Sequence, residues 1–485
     1  MWKFLFCFLF IRYGTGEKII IIGAGSSGIA AASKLLSHNI SDFRILEAED
    51  RIGGRIHSIH LGSAYVDLGA QYVHGMKNNL AYELAHNFVI PGNELNYTWM
   101  YYNGKRRVDD NLLNTLWDLT PETYEDGGSN VSVGDAFLSR YNSTVFNQYK
   151  NDTQMLTFAK DFIRICECSI LGLEGSFSWF KPIATSSFQD CDGPNTLSWN
   201  GLGYKTILDL LLKNFPNKTG YDITNNLSLN TTVTKIIMEE NSVKVKCADD
   251  SEYNTEYVLW TPSLGVLKHD HKSIFQPKLS DERINAIENF GFDGVMKIVF
   301  EFPNNWWGEE KYFWFVWNEK DKDDVIKDVS FGPVKNGDHW LSWFFHVGSA
   351  PNNSNVLIGW MVGPMVAETE KLTEEQMKNG TVYVMRKFLS NDFNVSEPIR
   401  VIHSKWCTDP KFRGTYSFET MDMSIKNISS PQRILQQPVF STDGVPRIFF
   451  GGEATSPTRY GTVDGAIETG YREGNRLASI LKNQD

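Results

Sequence analysis

The sequence predicts an α/β protein built from two interleaved domains. Three observations predict it. The chain near Lys18 opens on a strand, a glycine-rich turn, a helix and a second strand. From about residue 430 the same style returns, with a strand running through a glycine turn into a helix. Between them lie two long stretches, rich in aromatics, that lack this pattern. One domain accordingly takes 17–92, 200–270 and 430–485, and the other takes 93–199 and 271–429. The 485 residues are also too many for one ordinary core.

Each element has a local reason. KIIIIG (18–23) is a continuous apolar run, as expected of a strand buried on both faces. SSGIAAASKLL (26–36) is a helix with small residues where it must pack closely on a sheet, and FRILEA (43–48) is the second strand. WNGLGYKTILDLLLKNF (199–215) reads as a glycine turn followed by an amphipathic helix. The region 231–263 reads as a run of short strands. Aromatic clusters at Trp306, Trp307, Trp314, Trp317, Trp340 and Trp343 mark the second domain's core. RIFFGGEA (447–454) and DGAIETGYREGNRLASIL (464–481) complete the first domain as a strand, a turn and a helix.

Composition narrows the function classes. With 41% hydrophobic and 22% charged residues the chain is globular rather than disordered. A net charge of −11 argues against a nucleic-acid partner and is compatible with a cationic small molecule. Lys3 precedes an apolar run (4–11), and Gly14 and Gly16 follow it. This predicts a signal peptide over 1–16 and a secreted protein. No stretch approaches the roughly 20 apolar residues of a membrane span. Acceptor sequences for N-glycosylation begin at Asn39, Asn96, Asn130, Asn142, Asn151, Asn217, Asn226, Asn230, Asn352, Asn379, Asn394 and Asn427, as in a glycoprotein. Without Cys7, five cysteines remain; Cys166 or Cys168 could pair with Cys191, or all five could stay reduced. No metal site is expected, and the oligomeric state is open.

Gly23-Ala24-Gly25-Ser26-Ser27-Gly28 sits between a strand and a helix, the context in which GxGxxG binds a dinucleotide. Gly23 allows the tight turn, Gly25 lets the backbone approach a pyrophosphate, and Gly28 lets helix and strand pack. Ser27 lies at the helix start that faces the phosphates. Glu47, ending the second strand, can accept both ribose hydroxyls, which disfavours a 2′-phosphate. Arg51-Ile52-Gly53-Gly54-Arg55 follows, a loop whose backbone and guanidinium groups can both face an anion.

EAEDRIGGRI (47–56) resembles the second half of the FAD fingerprint of the flavin-dependent amine oxidases. The resemblance recurs at LGAQYVHG (68–75), WTPSLGVLK (260–268), FDGVMKIVFEF (292–302), WCTDPKFRGTYS (406–417) and FFGGEATSPTRYGTVDGA (449–466). It implies a Rossmann-like FAD-binding domain interleaved with an α+β substrate-binding domain. It further implies that Lys297 holds a water against the reactive flavin nitrogen and that Glu453 accepts hydrogen bonds from the ribityl chain. Thr462 and Val463 begin a helix whose backbone donors stabilise reduced flavin. Gly69, Ala70, Gln71, Tyr72 and Trp406 fall in motifs set against the cofactor, as do Gly54 and Arg55.

Two departures bear on chemistry. Thr415 stands where monoamine oxidases carry the flavin-linked cysteine, and Cys407 is off-register, so the FAD is expected to be noncovalent. Tyr416 matches one aromatic wall of the amine cage, while Thr462 replaces the second. That resembles the animal polyamine and spermine oxidases, which also carry a histidine at the position of His74. The expected reaction is oxidation of a polyamine with O2 as acceptor. His74, Tyr416, Thr462 and Lys297 are its candidate catalytic residues, His74 orienting the amine. Glu174 and Asp192 lie where an acid could hold a distal ammonium, although an ordinary surface position is the plainer reading of each. An L-amino-acid or monoamine oxidase on the same fold, or an inactive secreted binding protein, are the alternatives.

Overall fold

The computed structural model describes residues 16–91, 98–107, 130–310 and 312–483. Residues 1–15 of the expected leader, and the Asn96 acceptor, lie outside them. The first domain is organised by a six-stranded sheet. Its order is Val439–Phe440, Pro446–Phe450, Tyr257–Trp260, Ile19–Ile22, Phe43–Leu46 and Leu227–Ser228. Ile19–Ile22 is the apolar centre, parallel to Tyr257–Trp260 on one side and Phe43–Leu46 on the other. All four of its isoleucines are buried, as a strand covered on both faces requires.

Two helices cover this sheet's glycine-rich end, Ser26–Ser37 and Val463–Lys482. They approach closely because both present small residues. A methyl group on Gly470 would lie 2.2 Å from the Ser27 carbonyl oxygen, and one on Gly474 would lie 2.8 Å from that of Ala31. The amphipathic helix read over 199–215 is shorter than its pattern, covering Thr206–Leu211. Gly203 (φ +75°) precedes it and Lys213 (φ +59°) follows, so left-handed backbone bounds the turns that contain it.

The second domain centres on a seven-stranded sheet ordered Arg400–His403, Met296–Glu301, Val356–Met361, Phe344–Ser349, Tyr312–Val316, Thr98–Tyr102 and Lys105–Arg107. The tryptophans that mark this region in the sequence fill its core. Helix Thr153–Glu174 packs against it. Asp152 caps its start, accepting from Gln154 N and Met155 N, and Gly175 (φ +67°) ends it in a left-handed turn. Cys166 and Cys168 are buried on this helix, and Cys166, Cys168, Cys191, Cys247 and Cys407 are all free thiols.

Candidate active site

The glycine turn after Ile22 has a distinct reason for each glycine. Gly23 takes φ +97°, and a methyl on Gly28 would strike the Gly23 carbonyl oxygen at 2.0 Å. Gly25 is different. Its φ of −70° suits any residue, and a methyl there would meet nothing nearer than the Gly53 carbonyl oxygen at 4.0 Å. Nothing in the protein itself demands glycine at that position; a ligand backbone approaching it does. Gly25 is also the N-cap of Ser26–Ser37, whose first turn has neither a side-chain cap nor an acidic residue. Its N–H donors and positive end are therefore free of competing carboxylates.

Glu47 closes this end. It is buried, and its two oxygens accept from Ala24 N at 2.6 Å and Glu49 N at 2.8 Å. Burial raises its pKa, and the two N–H donors oppose that rise. The Arg51–Arg55 loop packs on the first turn glycine to glycine, with Gly53 N donating to Ala24 O at 2.8 Å and Gly54 facing Gly25.

Three polar side chains in this region are tied within the protein. Arg51 donates to the carbonyls of Ile52, Gly54 and Ile56, bracing its own loop rather than reaching outward. The Ser27 hydroxyl accepts from Gly452 N at 2.9 Å, joining the first turn to the C-terminal segment. Arg55 donates to Thr415 O and pairs with Glu453 at 3.0 Å. Glu453 in turn accepts from Ser417 Oγ and Gly461 N. This buried acid therefore knots together the loop at 55, the stretch 415–417 and the helix entry at 461.

DLGAQYVHG (67–75) leaves the hairpin Ser58–Leu61/Ala64–Asp67 and crosses between the two domains. Lys297 reaches it from the buried strand Met296–Glu301. Its Nζ donates to Asp67 O (3.1 Å), Gly69 O (2.7 Å) and Gln71 Oε1 (2.7 Å), and lies 4.7 Å from the Trp360 ring centroid. Burial drives its pKa down to about 7, against the pull of the Asp67 carboxylate. Trp406 supports the same segment, donating Nε1–H to Leu68 O at 3.0 Å with its ring edge against Gly69. Ala70 N donates to Arg55 O, and Tyr72 shares a hydroxyl hydrogen bond with Tyr312.

His74 Nδ1 lies 2.6 Å from Asn195 O. A carbonyl only accepts, so Nδ1 carries the proton and Nε2 is left as an acceptor in the neutral ring. His74 keeps solvent-accessible surface, yet desolvation lowers its pKa. Both hold for a ring that touches water on one side while protein surrounds the rest. Tyr416 and Glu174 share this character. The Tyr416 hydroxyl donates to Gly172 O and its ring lies against Gly175, the residue after Glu174. Glu174 is therefore no ordinary surface acid. Burial, reinforced by the neighbouring Glu419, raises its pKa to about 7. Asp192 is exposed and pairs with Lys77.

Thr462 caps the helix Val463–Lys482: its hydroxyl accepts from Gly465 N and donates to Arg459 O. Its hydroxyl is thus committed, and it contributes a small side chain where a tyrosine would fill space. Val463 opens the helix beside it. Tyr312, Trp360 and Glu419 come to these groups from distant strands and loops and carry no signal in the sequence; Asp67 directly precedes LGAQYVHG and could have been found there. Among the described residues no cluster of three or more His, Cys, Asp or Glu is placed to hold a metal.

A glycine turn between parallel strands and a helix is a cradle for a dinucleotide, and the buried Lys297 joins its domain to the second one. A family model for "Flavin containing amine oxidoreductase" matches residues 26–478, and the chain belongs to that family. It is a flavin-dependent amine oxidase with the two-domain fold of that family, and its substrate is a small-molecule amine. The chain is 25% identical to "Probable polyamine oxidase 5" of Arabidopsis thaliana, over 96% of this chain and 98% of that one. It is 26% identical to "Peroxisomal N(1)-acetyl-spermine/spermidine oxidase" of Bos taurus (97% and 96% covered) and to "Polyamine oxidase 1" of Zea mays (96% and 91%).

Proposed function

We propose that this chain is a secreted, FAD-dependent oxidase of polyamines, acting on spermine, spermidine or their acetylated forms. The observation that carries the substrate reading is Glu174, a half-buried carboxyl group beside Tyr416 that no cation among the described residues pairs with. Three relatives over nearly the whole chain are named as oxidases of polyamines, which supports the same class. FAD would be held by the Gly23–Gly28 turn, Glu47 and the Arg55–Glu453 pair, and would supply a hydride acceptor for the carbon next to an amine with O2 as final oxidant, the products being H2O2 and, after hydrolysis, an aldehyde and an amine.

The chain's own residues set the conditions for that chemistry. The Tyr416 ring orients the amine that reacts, and the carboxyl of Glu174 beside it holds an ammonium of the substrate. His74 Nε2 accepts a hydrogen bond from the amine and orients it. Lys297 spends its three N–H donors on Asp67 O, Gly69 O and Gln71 Oε1 and brings a positive charge, not a free donor, to the flavin edge. The cleft arginines do not favour an amino acid as substrate: Arg55 is paired with Glu453 and Arg459 with Asp464. Noncovalent FAD follows from Thr415 at the linking position and from Cys407, whose thiol burial and Glu370 hold protonated.

Glu174 gives a signed pH dependence. Its carboxyl ionises as pH rises through about 7, and only the anion holds an ammonium. KM for spermine should therefore fall as pH rises through that range, while KM for a monoamine should not. Glu174→Gln should raise KM for spermine roughly tenfold, the cost of about one charge-assisted hydrogen bond, and flatten its pH profile. Peroxide formation against substrate and pH tests this; a spermine KM unaffected by the substitution removes Glu174 from the reading.

Export is supported by the acceptor asparagines. All of those described are exposed except Asn226, which is half-buried with its amide donating to Ser41 O and Phe43 O. No helix among the described residues is long and apolar enough to cross a membrane. Protein expressed in cultured animal cells should appear in the medium and lose several kDa on enzymatic deglycosylation. Retention inside the cells at the unglycosylated mass would contradict export.

A further inference from the structure

We propose that Asp67 is a positioning residue for Lys297, fixing the backbone that grips the lysine and supplying the negative charge that keeps its ammonium protonated. This rests on the reading of Lys297 as the lysine beside the flavin. The geometry has two parts. Asp67 Oδ1 accepts from Tyr204 N at 3.0 Å and from the Ser58 hydroxyl, which pins the end of the strand Ala64–Asp67. The Asp67 carbonyl oxygen accepts from Lys297 Nζ, with Gly69 O two residues on. One residue thus anchors the segment by its side chain and presents the segment's carbonyl to the lysine.

The electrostatics point the same way. Asp67 is 6% exposed and Lys297 3%, so neither charge is relieved by water. Asp67 is the carboxylate acting on Lys297, and the Trp360 ring is its other neighbour. Asp67 is faced by Lys297 and Lys205, by the Ser58 hydroxyl, and by Tyr72 and Tyr204. Burial pushes Asp67 up and Lys297 down, each charge offsetting part of the other's cost. Without the carboxylate the buried ammonium loses its proton more readily. The lysine's charge near neutrality, and hence its ability to stabilise negative charge developing beside it, depends on Asp67.

Asp67→Asn discriminates well, because asparagine keeps Oδ1 for both Ser58 and Tyr204 N and removes only the charge. In flavin-loaded protein with 13C-lysine labelling, the titration of the Lys297 side chain is followed against pH by NMR, because the amine is too buried for a reagent to reach. The midpoint for Lys297 should fall by about one pH unit or more in Asp67→Asn, and Asp67→Glu should restore part of it. Ser58→Ala, which removes a donor favouring the charged carboxylate, should shift it the same way by less. Unchanged midpoints in Asp67→Asn and Ser58→Ala would overturn the proposal. The pH profile of flavin reoxidation by O2 should move with the titration midpoint. A titration shift without a kinetic shift would leave the pair in place and overturn instead the assignment of Lys297 to the flavin.

Discussion

Lys297→Met is expected to cut turnover by about 10²-fold or more, the range seen when one preorganised donor is removed from a reacting centre. Methionine is unbranched like lysine and one atom shorter, so it fits the site without moving the strand Met296–Glu301. What disappears is the donor to Asp67 O, Gly69 O and Gln71 Oε1, together with the charge opposite the Asp67 carboxyl. Flavin content should stay near one per chain, because the glycine cradle and Glu47 are untouched. Stability should drop modestly, by roughly 1–3 kcal/mol, since three buried acceptors lose their partner. Stopped-flow measurement of flavin reduction and reoxidation would locate the loss. A variant with full flavin occupancy and unchanged rates in both halves would show that Lys297 is only a brace.

Gly25→Ala should do the opposite: preserve the fold and abolish cofactor retention. The added methyl meets no protein atom within ordinary contact distance, and the backbone there is one alanine adopts freely. The apoprotein should therefore fold with an unchanged circular dichroism spectrum. The methyl would, however, occupy the space where a pyrophosphate approaches the backbone, and flavin affinity should fall by about 10²-fold, near 3 kcal/mol. Gly28→Ala provides the contrast. Its methyl would collide with the Gly23 carbonyl oxygen at 2.0 Å, so stability itself should suffer, by roughly 1–3 kcal/mol or more. Dialysis followed by flavin absorbance separates the two. If Gly25→Ala retained its flavin, the cradle would not be the phosphate site.

These two sites also show what can be read from the sequence and what cannot. The cradle is local. Gly23, Gly25, Gly28 and Glu47 lie within one strand–helix–strand unit, where spacing along the chain determines position in space. The parallel sheet was equally legible, because Ile19–Ile22 is apolar throughout and the C-terminal segment repeats its style. Side-chain commitments were not legible. Arg51 and Ser27 have the right chemistry for a phosphate, but folding ties them to Ile52, Gly54, Ile56 and Gly452 instead. Thr462 could be recognised as the absent aromatic wall, but not as the cap of its helix.

The substrate side depends on long-range contacts, and there the sequence is nearly silent. Glu174 looks like an ordinary surface acid. Only folding brings Tyr416 and Glu419 beside it and leaves it half-buried, with its carboxyl largely desolvated. Tyr312 reaches Tyr72, and Trp360 reaches Lys297, from strands with no motif of their own. Asp67 is the instructive middle case. It stands first in a quoted motif, but its role comes from Ser58, Tyr204 and Lys297, three residues scattered along the chain.

The central claim is that the cleft oxidises polyamines through a bound flavin. Its most direct test is anaerobic: mix the purified, flavin-loaded protein separately with spermine, a monoamine and an L-amino acid, and follow the flavin absorbance. Spermine should bleach the flavin rapidly, and the other two slowly or not at all. Rapid bleaching by the monoamine or the amino acid, with spermine inert, would contradict the claim.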